Sequence, residues 1–261
     1  MSDDLKISAA FISGGLALCG TIYVAILNYL SHRELAHFKA GTEEKLARLN
    51  DDLQAKRDDR LAKQETEKIV SKFRDPLLHA AYDLQSRIYN ILRQDFLGVY
   101  YTKGTDREKE YAVDNTIFLI AQYLGWTELI RQEIQFLDLG EDDETRKLRT
   151  LQDGMYTQLR TDKVFGKGFR LFAGEQRAVG ELMIDRGGET TRCIGYAKFL
   201  KDKNQDLDRW LQPLRDDVQN MAANPVLFEG RLVAMQHSLI DLLEFLDPGY
   251  VYFPIESRGK I

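Results

Sequence analysis

The stretch ISAAFISGGLALCGTIYVAILNYLS, residues 7–31, holds no charged side chain. Nothing else in the chain limits its folding so tightly. About 20 residues of apolar helix cross the hydrocarbon core of a bilayer. A soluble core helix of this length carries a polar stripe, whereas here Ser, Thr and Asn are scattered. A cleaved leader needs a basic start and a shorter apolar centre, but this chain opens MSDDLK. Residues 7–31 therefore read as a single transmembrane helix.

Flanking charge sets its direction. Before the run stands Lys6, offset by Asp3 and Asp4; after it come Arg33, Lys39, Lys45 and Arg48. The positive-inside rule places residues 1–6 outside as a short non-cytoplasmic tail and the rest in the cytoplasm. The expected location is thus the cell membrane, single-pass, with lipid as one partner. Small residues recur every fourth position at Ala9, Ser13, Ala17, Thr21 and Ala25. Such a ridge lets helix backbones approach closely in lipid, so it is the expected packing face of a homo-oligomer.

Residues 32–75 read as a charged helical stalk. Gly41 and Thr42 followed by Glu43 and Glu44 have the pattern of a helix start. Glu44 with Arg48, Asp52 with Lys56, and Asp59 with Lys63 are acid-before-base pairs one turn apart. Leu46, Leu49 and Leu53 begin a coiled-coil seam that Lys56 and Arg60 then interrupt. Asp75–Pro76 reads as the end of this helix and the cap of the next. Over the 36 residues from Gly41 to Pro76 such a helix reaches about 50 Å.

Residues 76–249 read as a multi-helix bundle, followed by a C-terminal tail over 250–261, so the fold class is all-α. Between Leu77 and Gln212 there is no proline, which favours helices over turn-rich β structure. Apolar stripes at helical spacing run through Leu77, Ala81, Leu84, Ile88 and Leu92; Leu148, Leu151, Met155 and Leu159; Leu207, Trp210, Leu211, Leu214 and Val218; and Leu232, Met235, Leu239, Leu242 and Leu246. The segment from Thr116 to Trp126 is apolar nearly all round and should be the buried central helix, with Gly125 and Pro213 as expected kink points. DRGGETTR reads as a loop, and CIGYAKFLKD behind it as helical.

Chemistry is sparse. The four histidines, His32, His37, His79 and His237, lack the spacing of a helical zinc site, and Cys19 and Cys193 have no ligand neighbours. His237 reads as a histidine satisfied by a nearby carbonyl or carboxylate. No nucleotide loop or nucleophile elbow occurs, so no catalytic residue, metal or cofactor is assigned. Acid pairs such as Glu128 and Glu133, or Asp241 and Glu244, read as solvated helix faces. The net charge of −5 gives no reason to expect nucleic acid. One stretch, KVFGKGFRLF, combines glycines with Lys163, Lys167 and Arg170, and Arg177 follows. These four cations are the candidate ligand-binding residues for a phosphate-like anion; the bland alternative is a turn with basic side chains in water.

Two functions fit. The first is a membrane-anchored interaction or signalling protein that self-assembles or binds a protein partner, its span acting as effector in a stress or defence response. The second is a helical receptor or enzyme for a small anionic ligand. They differ in one geometric expectation: under the second, the cations converge on one cleft beside helix N-termini.

Overall fold

The computed structural model describes residues 3–136, 143–163, 168–187, 191–201 and 206–261; within its helices the side chains of 3–20, 22, 63, 65–67, 69–71, 134–136 and 143–145 are outside that description. The chain divides into two compact units, Met1–Leu61 and Ala62–Ile261. Seven α-helices occur among the described residues: α1 (Asp3–Arg93), α2 (Asp106–Phe136), α3 (Asp143–Arg160), α4 (Ala173–Leu182), α5 (Tyr196–Lys201), α6 (Asp206–Ala223) and α7 (Val226–Leu246). The protein is an all-helical bundle protein, as its sequence periodicity requires.

In the first unit, the backbone is helical from Asp3, and Leu46, Leu49 and Leu53 are exposed. Two of the expected pairs form, Arg48 with Glu44 at 2.6 Å and Lys56 with Asp52 at 3.3 Å. The third involves Lys63, whose side chain lies outside the described residues. Among the described residues, no helix is long and apolar enough to cross a membrane. Most side chains of the expected span, including those of Ala9, Ser13 and Ala17, lie outside the description; Ala25 is exposed.

Neither expected break in α1 occurs. Thr42 does not cap the amides that follow it; its hydroxyl donates backwards to the carbonyls of Phe38 (3.0 Å) and Lys39 (2.8 Å). Pro76 sits inside the helix. An interior proline costs about 3 kcal/mol, and here burial on either side of it opposes that cost. Phe73, Leu77, Leu78, Ala80, Ala81 and Leu84 are all 0–1% exposed, and each large apolar side chain so buried contributes roughly 1.5–3 kcal/mol.

The second unit is built around α2. From Ala112 to Ile130 nearly every residue is buried, as the apolar stretch predicts. The stripes of α1, α3, α6 and α7 enter the same core. Both α2 and α6 run on through Gly125 and Pro213. Gly125 serves close approach: a Cβ there would lie 2.8 Å from Cys193 Sγ and from Met183 Cβ. Gly180 on α4 is the reciprocal contact, where a Cβ would lie 2.6 Å from Glu128 Cβ and 2.8 Å from the Leu124 carbonyl. Gly180 sets how closely α2 and α4 pack, and Gly125 sets how closely α2 meets Met183 just after α4 and Cys193. Gly180→Ala should therefore lower stability by about 1–3 kcal/mol, although alanine is the better helix former by about 1 kcal/mol. A melting temperature equal to wild type would show that the helices separate without cost.

One correction concerns the segment after α4. A two-stranded antiparallel ladder forms there, with Ile184 opposite Cys193 and Asp185 opposite Arg192. Cys193 is thus in a strand, and the helix begins only at Tyr196. Residues 250–261 fall within the second unit. Phe253 stacks on Tyr82 with ring centroids 3.6 Å apart, and Arg258 is buried.

Candidate functional site

Three helices each turn one face toward a common cavity of about 360 Å³. From α2 come Thr127 and Arg131, one turn apart. From α4 come Ala173 and Arg177, again one turn apart. From α3 come Arg149, Gln152, Asp153, Tyr156 and Arg160, spaced along one face. On α3 this face runs one residue behind the core stripe Leu148, Leu151, Met155 and Leu159, so the same helix fills the core and lines the cavity.

Arg131 is fixed by a carboxylate behind it. Glu128 is fully buried and accepts two bonds from the guanidinium, Nε to Oε2 at 2.7 Å and Nη2 to Oε1 at 2.5 Å. Gln132 donates to the same carboxylate at 2.8 Å. This bonding to Glu128 holds the Arg131 pKa above its ordinary value. Glu128 is therefore no solvated acid, contrary to the reading of its helix face. A buried carboxylate three residues before an arginine is an ion pair one turn apart.

The other three arginines face the cavity differently. Among the described residues, no carboxylate lies within ion-pair distance of Arg149, Arg160 or Arg177; Arg160 makes one long bond, 3.4 Å, to the Thr157 hydroxyl. Tyr156 shares a 3.3 Å hydrogen bond with Thr127, and burial raises its pKa. Gln152 is 8% exposed, and its side-chain amide nitrogen has no hydrogen-bond partner among the described residues. A buried donor left unpaired costs about 1–3 kcal/mol, and this one belongs to a residue that lines the cavity. Ala173 opens α4, so the positive end of that helix adjoins the same space.

The four sequence-predicted cations divide. Arg177 lines the cavity. Arg170 pairs with Asp162 at 3.1 Å and lies 4.6 Å from the Phe172 ring centroid. Lys163 is exposed and Lys167 lies outside the described residues. The described part of FGKGFR is tied into the bundle. Asp217 accepts the Phe169 amide at 2.7 Å, and Arg231 binds the Gly168 carbonyl at 2.9 Å. At Gly168 a Cβ would lie 2.8 Å from the Phe228 ring, so its glycine is a packing requirement. Arg131, Arg149, Arg160 and Gln152 escaped the sequence reading, although the α3 members follow the core stripe at constant offset.

Other candidates behave as structural groups. His237, half-buried, has Nε2 3.0 Å from the Ile261 main-chain oxygen, as a satisfied histidine requires. Burial pushes the Cys193 thiol up to about 12, which keeps it protonated and unreactive near neutral pH. No group of residues that could hold a metal ion occurs among the described residues. Comparison with protein-family models, with curated proteins and with solved structures finds no match to this chain.

Proposed function

We propose that this chain is a membrane-anchored helical signalling protein whose bundle takes up a small anionic ligand. The observation that carries the receptor half is the convergence of Arg131, Arg149, Arg160 and Arg177 on one cavity beside the start of α4. Guanidinium forks from three helices suit an anion better than they suit each other. Glu128 neutralises Arg131, and Arg149, Arg160 and Arg177 repel one another across the same space, so a bound anion stabilises the arrangement.

The membrane half rests on the uncharged run at 7–31 and on α1, a single helix from Asp3 to Arg93. The helix that carries the run also supplies Phe73, Leu77 and Leu84 to the core of the bundle. In this reading, the run spans the cell membrane with its N-terminus outside, the bundle is cytoplasmic, and assembly through the small-residue face makes the span the effector. The trigger belongs to the bundle and the response to the span.

The span is tested by washing membranes that carry the full chain at alkaline pH. Retention in the pellet is expected, and quantitative release would remove the anchor. The packing face is tested with Ser13→Leu combined with Ala17→Leu. That variant should lower the particle mass in mild detergent, and an unchanged mass would end the self-assembly reading.

A further inference from the structure

We propose that the arginine cavity selects a hydroxylated phosphate monoester, of the sugar-phosphate or mononucleotide class, over a bare inorganic anion. This rests on the reading of the bundle as an anion receptor and adds what kind of anion it takes.

Charge sets the first limit. Four arginines line the space, Glu128 neutralises Arg131 from behind, and Asp153 adds one negative charge. Two positive charges remain, which match a phosphate monoester in its dianionic form. Planar guanidiniums bind such a group through paired, charge-assisted bonds. The unpaired amide nitrogen of Gln152 supplies a further donor.

Size and Asp153 set the second. At about 360 Å³ the cavity lies within the range of small-molecule sites, well beyond what one phosphate fills. Its remaining walls are Thr127, Tyr156 and Ala173, a hydroxyl, a ring and a methyl group. Asp153 is exposed, and among the described residues it has no ion-pair partner. An ionised carboxylate has no donor to give. A dianionic phosphate monoester has no P–OH to give it, so Asp153 repels the phosphate end and accepts a hydrogen bond from a hydroxyl elsewhere on the ligand, whereas inorganic hydrogen phosphate offers only its own P–OH. Asp153 thus favours a ligand that carries hydroxyls, and the cavity volume, most of which one phosphate leaves unfilled, favours the ester over inorganic phosphate.

The experiment is titration calorimetry of the full chain in mild detergent. The probes are glucose 6-phosphate, adenosine monophosphate, inorganic phosphate and glucose. At least one ester should bind more tightly than inorganic phosphate, and glucose should not bind. Arg149→Gln and Arg177→Gln should each weaken the ester by about tenfold or more, whereas exposed Lys163→Gln, away from the cavity, should not. Asp153→Asn should weaken the ester by about tenfold.

Inorganic phosphate binding as tightly as both esters, still sensitive to Arg149 and Arg177, would overturn the ester assignment and leave the anion receptor standing. Failure of every phosphate probe, or binding indifferent to both arginine substitutions, would overturn both.

Discussion

Replacing Arg231 with methionine is expected to destabilise the bundle by about 3–5 kcal/mol, the range for breaking a buried charged network. Arg231 is 1% exposed on α7 and serves the connection between α3 and α4. Its Nε donates to the Gly168 carbonyl at 2.9 Å, Nη2 to Thr161 at 2.7 Å, and Nη1 to Gln158. Methionine fills similar volume but donates nothing, so three carbonyls lose a charged donor where water has little access. Lysine keeps the charge and loses the fork, so Arg231→Lys should recover only a minor part. By contrast Arg177→Gln, on an exposed cavity residue, should stay within about 0.5 kcal/mol.

The readout is thermal or urea unfolding of all three variants. For a unit of this size, 3 kcal/mol corresponds to a fall of roughly 6 °C or more. A fall of about 2 °C or less for Arg231→Met would mean that the carbonyls rehydrate and the connection is not clamped. The ranking also has a functional consequence. Arg231 fixes the connection between the two helices that supply five and two of the cavity residues. Its loss should therefore weaken ligand binding through position, while Arg177→Gln weakens it through contact at unchanged stability.

Much of the fold is legible in the sequence because burial obeys the helical period. Leu77, Ala81, Leu84 and Ile88, then Leu211, Leu214 and Val218, are core residues in structure as in pattern. Local signals mislead where packing outweighs them. Pro76 looks like a helix start but sits between Phe73 and Leu77, whose burial holds the helix together. The FGKGFR glycines look like a phosphate cradle, yet Gly168 is required by the Phe228 ring.

The site was half visible. Arg177 stands out as a cation near glycines, but Arg131 lies 46 residues before it on a helix whose closeness to α4 depends on Gly180. No spacing rule within one segment reports a meeting between three helices. Glu128 was hidden for a related reason: on a charged helix, burial is decided by the neighbour, and the neighbour was α4.

The second large effect concerns Arg258, which docks the final segment. Arg258→Ala should also cost about 3–5 kcal/mol, because it leaves the Asp247 carboxylate buried without its cation. Asp247 is 3% exposed and accepts the amides of Val251 (2.8 Å), Tyr252 (3.1 Å) and Phe253 (3.4 Å), together with a bond from Arg258. Arg258 also donates to the carbonyls of Asp247 at 2.9 Å and Phe253 at 2.7 Å. Burial alone would raise the Asp247 pKa, but these amides and the guanidinium outweigh it and hold the carboxyl below its ordinary value.

A depressed carboxyl gives a defined pH dependence. The unfolded chain takes up this proton near pH 4 and the folded chain only at lower pH. The stabilisation is therefore complete above about pH 4 and declines as pH falls through the folded value. Asp247→Asn removes that titration, so its stability deficit against wild type should be constant from pH 7 to about 5 and shrink towards pH 3. Unfolding curves at three pH values decide it. A deficit that stays constant down to pH 3 would show that Asp247 acts through shape alone, and that the carboxylate charge does not hold the segment against α7.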